Sequence, residues 1–186
     1  YPHGCSEQIT SSAFPQLYLR ILKGSDAVLM QTVSANIKQA ISLITTRQMS
    51  GGGIALWPGS YQPDNWVTSY VTHFITEAER TGYTVPSGFK QKLINYQKKT
   101  AQEWRFDTQY RQTQNDQAYR LFSLALAGQP EKGAMNRLRE SKDLPQLSRW
   151  LLAAAFATTG RPEAAGELLD LRNTTTETEL HDYYYG

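Results

Sequence analysis

Two four-residue phrases, Gly128-Gln129-Pro130-Glu131 and Gly160-Arg161-Pro162-Glu163, constrain the fold more than any other feature of the sequence. Each sets a glycine, suited to the left-handed turn that ends a helix, just before a proline, suited to a helix's first turn. An alanine- and leucine-rich stretch precedes each phrase. A short amphipathic stretch follows, ending in Leu138 or in Leu168-Leu169. A chain punctuated in this way folds into antiparallel helical hairpins.

The rest of the chain fits the same plan. Phe14, Leu17, Tyr18, Ile21 and Leu22 recur at helical spacing and predict a first helix over Ile9 to Leu22. Lys23-Gly24-Ser25 reads as a stop followed by an N-cap, with Asp26 in the next first turn. Val33, Ile37, Ala40, Ile41 and Ile44 then form the apolar face of a second helix ending near Gln48. Ser50-Gly51-Gly52-Gly53 breaks it, and Ile54 to Trp57 reads as a short extended piece. The glycine run is no phosphate loop, since no Gly-Lys-Ser/Thr follows it and no strand pattern precedes it. Asn65 is placed to cap a third helix that sets Trp66, Tyr70, Phe74 and Ala78 on one face, with His73 beside them and partly exposed. A fourth helix runs from about Pro86 to Glu103, with Phe89, Leu93 and Tyr96 inward and lysines on the solvated side. Trp104 to Gln114 is polar and reads as a connection. A fifth helix then reaches Leu126 with Ala118, Leu121, Phe122 and Ala125 inward. Threonine-rich Asn173 to Glu179 reads as a loop. The sum is about eight helices and an all-α fold. Periodicity leaves open whether the hairpins stack as an open solenoid or curl into an α/α ring.

Composition narrows the function. A chain of 186 residues, 40% hydrophobic and 11% aromatic, is one domain with a real core. A net charge of +2 without an aromatic-interleaved basic stripe gives no case for nucleic acid. No apolar run approaches a membrane span. Three scattered histidines and one cysteine offer no metal-ligand spacing, and nothing calls for a cofactor. The chain opens directly on a reactive motif with no signal peptide, so residues 1–186 are expected to be an incomplete, excised piece of a larger protein. The single cysteine leaves the compartment open.

That cysteine carries the chemistry. In Gly4-Cys5-Ser6-Glu7-Gln8, Cys5 falls in the opening turn of the first helix and Gln8 in its first full turn. Residues three apart share a helix face, about 5–6 Å apart at Cβ. Unpaired N–H groups at a helix start favour a thiolate over a thiol. A thiolate beside a carboxamide can attack it, expel ammonia and leave a Cys–Gln thioester, an acylating agent used once.

The motif resembles the thioester sequence of the alpha-2-macroglobulin and complement family. Tyr1-Pro2 before it, and Ser11-Ser12-Ala13-Phe14-Pro15-Gln16-Leu17-Tyr18 after it, are similar to bacterial members. Gly53-Ile54-Ala55-Leu56-Trp57-Pro58-Gly59 resembles the family's glycine-tryptophan segment. Asp64-Asn65-Trp66-Val67-Thr68-Ser69-Tyr70-Val71 resembles its Trp-Leu-Thr-Ala helix, and Asp116-Gln117-Ala118-Tyr119-Arg120-Leu121 with Gly128 a later one. His181-Asp182-Tyr183-Tyr184-Tyr185-Gly186 resembles the lead-in to a further hairpin. The blocks run in the family's order over at least the first 130 positions.

The resemblance implies a partial α/α toroid, like the terpenoid-cyclase ring, truncated at its C-terminal end. It also implies a protease trap that is not an enzyme. Cleavage of a bait segment elsewhere exposes the thioester, which acylates lysine amines of the attacking protease. Cys5 supplies the sulfur and Gln8 the acyl carbon, with Gly4 and Glu7 as motif positions. Tyr1, Trp57, Trp66 and Tyr70 are candidates for a water-excluding shell, although Trp57 equally suits a core plug. The implied partners are target proteases and other domains of the parent chain, in a periplasmic or extracellular setting. Complement-like members redirect the acyl group to hydroxyls with a downstream histidine. Lys92 to Ala118 contains none, which favours direct transfer to amines. In the isolated piece the bond is expected to be hydrolysed or unformed.

Rival readings differ in class. A cysteine hydrolase would draw on His73 or His181, neither with a recognisable partner pattern. A ring-shaped glycosidase would need paired carboxylates in a pocket, whereas the acidic residues sit mainly at helix starts and exposed faces. A tetratricopeptide-like binding module would need the Gly-x-Pro-Glu repeat throughout, and the first hundred residues lack it.

Overall fold

The computed structural model describes residues 4–19, 27–106, 112–141 and 143–169. Eight α-helices and one 3-10 segment account for the regular structure of these residues. They are α1 (Ser6–Ala13), the 3-10 turn Phe14–Tyr18, α2 (Ala27–Thr45), α3 (Asn65–Arg80), α4 (Ser87–Glu103), α5 (Gln112–Leu126), α6 (Lys132–Arg139), α7 (Gln146–Thr158) and α8 (Pro162–Leu168). The only β pairing among them is one isolated bridge between Gln48 and Ile54. The fold is all-α.

Successive odd-numbered helices pack on one another: α1 on α3, α3 on α5, α5 on α7. Each even-numbered helix packs on an odd-numbered neighbour. Helical hairpins in series thus build two layers, the arrangement the punctuation predicts. The two glycine-proline phrases close the hairpins as expected. Gly128 and Gly160 take φ of 72° and 74°, and the N–H groups of Gln129 and Arg161 reach back to the Leu124 and Phe156 carbonyls.

Four local expectations are corrected. The single first helix becomes α1 plus a 3-10 turn, because Pro15 has no N–H and its ring clashes with the carbonyl four residues back. Ile21 and Leu22, like the stop-and-cap signal at 23–26, lie outside the described residues. The cap of α3 is Asp64 and not Asn65, since its Oδ1 accepts the Val67 N–H at 2.8 Å. The buried face of α3 is Val67, Val71, Phe74, Ile75 and Ala78, which leaves Trp66 36% exposed and Tyr70 half-buried at its edge. Helical structure also begins earlier in α5 than the polar sequence suggests, and Gln114 is fully buried.

The core has two apolar parts. One joins α1, the 3-10 turn, α2, α3 and the start of α4. The other joins the end of α4 to α5 through α8. Alongside them runs a buried polar seam centred on Arg120, which is 1% exposed. Its Nε donates to Gln97 Oε1 at 3.1 Å and its Nη1 to Gln117 Oε1 at 2.5 Å. Gln97 Nε2 donates to the Ser69 and Thr72 hydroxyls, and Gln117 Nε2 to the Ala101 carbonyl. Burial lowers the Arg120 pKa, opposed by nearby Asp116.

The 3-10 turn is held by rings. Phe14 meets His73 edge-on at 4.8 Å, and Phe74 and Tyr70 at 5.7 Å. His73 Nδ1 lies 3.2 Å from the Tyr119 hydroxyl.

Two predictions follow from this packing. Gly52 has φ of +99°, and a Cβ there would lie 2.3 Å from the Lys92 carbonyl oxygen, whereas one at Gly51 would meet nothing within 4 Å. Gly52→Ala is therefore expected to cost about 3 kcal/mol or more, since left-handed strain alone costs about 1–3, and Gly51→Ala to be near neutral. Urea unfolding of the two variants checks this. Secondly, burial pushes the His73 pKa below 6.5, with Glu77 opposing and Arg80 adding. The unfolded chain then binds more protons, so this contribution to stability is complete above pH 6.5 and is lost as pH falls toward the folded value. His73→Gln should flatten that part of a pH series of unfolding midpoints.

Candidate functional site

Helix α1 starts with a reciprocal cap. Cys5 is the N-cap, in extended backbone with φ −66° and ψ 166°. Its Sγ accepts the Gln8 N–H at 3.4 Å, while its own N–H donates to Gln8 Oε1 at 3.0 Å. This is a capping box with sulfur in the place usually taken by a hydroxyl. The folded-back carboxamide explains Gly4. A Cβ there would lie 3.0 Å from Gln8 Oε1 and 3.1 Å from Gln8 Cβ. Glu7 stands exposed in the first turn, where a negative charge complements the helix dipole.

A loop fixes where this turn sits. After α2 the chain doubles back, with Ala55 N–H donating to the Arg47 carbonyl and Met49 N–H to that of Gly53. Ser6 then docks on the loop through its N–H to the Leu56 carbonyl at 2.8 Å and its hydroxyl to the Ala55 carbonyl at 2.6 Å. Arg47 Nη2 donates to the Gly4 carbonyl at 3.4 Å. The loop is pinned in turn to α3, where Thr68 Oγ1 accepts the Ile54 N–H, and to α4, where the Phe89 carbonyl accepts from Gln48 Nε2. Gly53 lies against Pro63 and the Tyr96 ring, with no room for a side chain.

Burial is uneven across the pair. Cys5 is 7% exposed, whereas Gln8 is exposed among the described residues. Of the aromatic residues considered as a shell, Trp57 follows directly on Leu56, is 50% exposed, and donates its N–H to Ser60 Oγ at 3.2 Å. It lines a cavity of about 370 Å³ with Arg47. Trp66 packs on Tyr119 at 4.8 Å and Tyr70 on Phe14, so their aromatic contacts run toward α5 and the 3-10 turn. Tyr1 lies outside the described residues, as do His3 and His181. Sequence reading missed Ser6 and Arg47. Ser6 carried no signal beyond being small and polar inside the motif, and Arg47 passed for an ordinary basic residue at a helix end.

The described residues contain no group of three His, Cys, Asp or Glu side chains placed to hold a metal ion. None of their helices is long and apolar enough to cross a membrane.

No family model matches the chain. Among curated proteins, an alpha-2-macroglobulin homolog of Yersinia pestis is 35% identical over 96 residues, covering 51% of this chain and 5% of the relative. The alpha-2-macroglobulin of Escherichia coli is 32% identical over 107 residues, covering 52% of this chain and 6% of the relative. The chain thus spans a small part of the length of both. The fold matches native Escherichia coli alpha-2-macroglobulin in a crystal structure that runs to its C-terminus. The TM-score is 0.78 at 25% identity, over 92% of this chain and 29% of that one. It matches the trypsin-activated form with a TM-score of 0.77 at 25% identity, over 92% of this chain and 13% of that one. Salmonella alpha-2-macroglobulin reacted with methylamine matches with a TM-score of 0.78 at 26% identity, over 92% and 12%. Sequence relatives and solved structures point to one family: the chain is homologous to the C-terminal region of the bacterial alpha-2-macroglobulins.

Proposed function

We propose that this chain is the thioester domain of a larger bacterial alpha-2-macroglobulin-like protease inhibitor, and that Cys5 and Gln8 form its internal thioester. The observation that carries this reading is the mutual hydrogen bonding of the two residues at the start of α1. The cap serves chemistry as well as helix formation. Cys5 N–H, donating to Gln8 Oε1, draws electron density from the carboxamide carbon and stabilises the oxyanion that attack creates. Gln8 N–H, donating to Sγ, stabilises negative charge on the sulfur. Sulfur attacks Gln8 Cδ, the C–N bond breaks, and nitrogen leaves as ammonia with the thiol proton. An incoming amine later attacks the same carbon, forms an amide and returns the thiol.

The wider role rests on the relatives. Trypsin-activated and methylamine-reacted forms of homologues support a protease as partner and an amine as acyl acceptor. In this reading the chain is no enzyme but a single-use trap, released by bait cleavage elsewhere in an exported parent and acylating lysine amines of the protease. The exposure of Gln8 fits a site that other domains of the parent cover until activation, since water would otherwise hydrolyse the bond. With no histidine from Lys92 to Ala118, amines are the acceptors expected in preference to hydroxyls.

Intact mass of the full-length protein tests the proposal. The expected mass is one ammonia below that of the sequence. Methylamine then adds one methylamine and frees one titratable thiol. A sequence mass unchanged by methylamine overturns the reading. Two variants separate chemistry from folding. Gln8→Glu keeps an acceptor for the Cys5 N–H, so it should fold normally yet lack both the mass deficit and the thiol release. Gly4→Ala displaces the Gln8 side chain, so it should lose about 1 kcal/mol of capping stability and most of its releasable thiol, read by unfolding and thiol titration.

A further inference from the structure

A cavity lined by Arg47 and Ala55, the residues bonded to Gly4 and Ser6, has a charged wall that no carboxylate of the described residues pairs with. It measures about 370 Å³ and lies between Arg47, Gln48, Met49, Trp57, Pro58 and Ser60. Arg47 forms no ion pair with a carboxylate of the described residues. Its Nη2 makes one long bond, 3.4 Å, to the Gly4 carbonyl, and its buried Nη1 has no hydrogen-bond partner among the described residues. A buried unpaired donor is costly, and a guanidinium fork is matched in shape and charge by a carboxylate. The half-exposed Trp57 indole adds an apolar wall along which methylenes can lie. Through Gly4, Arg47 is one residue from the sulfur.

We propose that this cavity is an acceptor subsite in which Arg47 binds a carboxylate carried by the attacking amine. The inference rests on the thioester reading above and names the substrate class for it: primary amines with a carboxylate a few methylenes away. On a protein surface this means a lysine with an acidic neighbour. With the carboxylate on Arg47, the amine nitrogen attacks Gln8 Cδ and the carbon–sulfur bond breaks. Cys5 leaves as thiolate and takes the proton shed by nitrogen, and an amide replaces the thioester. Arg47 touches the acceptor and not the bond being broken. It sets specificity.

The test uses the full-length protein and follows thiol release by ε-aminocaproate and by hexylamine, each rate divided by that of methylamine on the same protein. The amines are of similar basicity and length and differ in the carboxylate. For the natural sequence, ε-aminocaproate should be about tenfold faster than hexylamine, the worth of one charge-assisted hydrogen bond at a half-buried site. Caproate, which has the carboxylate and no amine, should slow ε-aminocaproate in competition. Arg47→Met should bring the ratio of the two amines to one, and Arg47→Lys, which keeps charge but not the fork, should fall between. A natural-sequence ratio of one or less overturns the inference, as does a ratio that survives Arg47→Met. Where Arg47→Met does not fold, the natural-sequence ratio and the caproate competition decide alone. If methylamine itself frees no thiol, the thioester reading has failed, and this proposal fails with it.

Discussion

The mutual cap between Cys5 and Gln8 is the interaction on which the rest of the site depends. A helix start leaves four N–H groups without partners, and short side chains usually satisfy them. Here the same need draws a sulfur toward the third residue of the helix and that residue's carboxamide back toward the N-cap. The contacts that begin the helix are therefore the contacts that hold the proposed reacting pair together. Ser6 converts this local arrangement into a tertiary one. Its two bonds to the Ala55 and Leu56 carbonyls fasten the turn to a loop that is itself bonded to α3 and α4. The glycines at 52 and 53 permit this, because neighbouring atoms occupy the space their side chains would need.

Much of the architecture was legible because hairpin punctuation is local. Gly128 and Gly160 announce their helix ends through a conformation other residues seldom adopt, and the apolar face of α2 follows its period without interruption. The motif was legible for the same reason, since three-residue spacing on a helix is a short-range fact. What escaped reading was set at long range. Trp66 and Tyr70 looked like the core of α3 by size and spacing. The core face instead went to Val67, Val71 and Ile75, and the aromatic residues were left to bridge toward α5 and the 3-10 turn. Arg47 and Ser6 gained their roles only when a loop some forty residues away in sequence folded against the opening turn.

The polar seam around Arg120 was equally invisible, and it explains how helices with middling apolar content can still pack. Gln97, Gln117, Ser69, Thr72 and Ser123 would each be a fault in a hydrophobic interior. Together they satisfy one another and hold a guanidinium that has no direct carboxylate partner among the described residues. Such a network resists piecemeal change, because removing one member leaves its neighbours buried and unsatisfied. It also ties α3, α4 and α5 together in one register, and α3 and α4 are the helices to which the loop beneath Ser6 is bonded.

Pro15 shortens α1 to eight residues. A segment of that length has little helical tendency in water on its own. Its shape is thus borrowed from the loop and from the rings around Phe14, and returns to the coil once those supports slacken. A modest tug on the surrounding structure would unmake the alignment of sulfur and carboxamide while the Arg120 seam stayed intact. The sulfur–carboxamide pair is mounted on the least self-sufficient piece of a sturdy frame, like a trigger set apart from the stock.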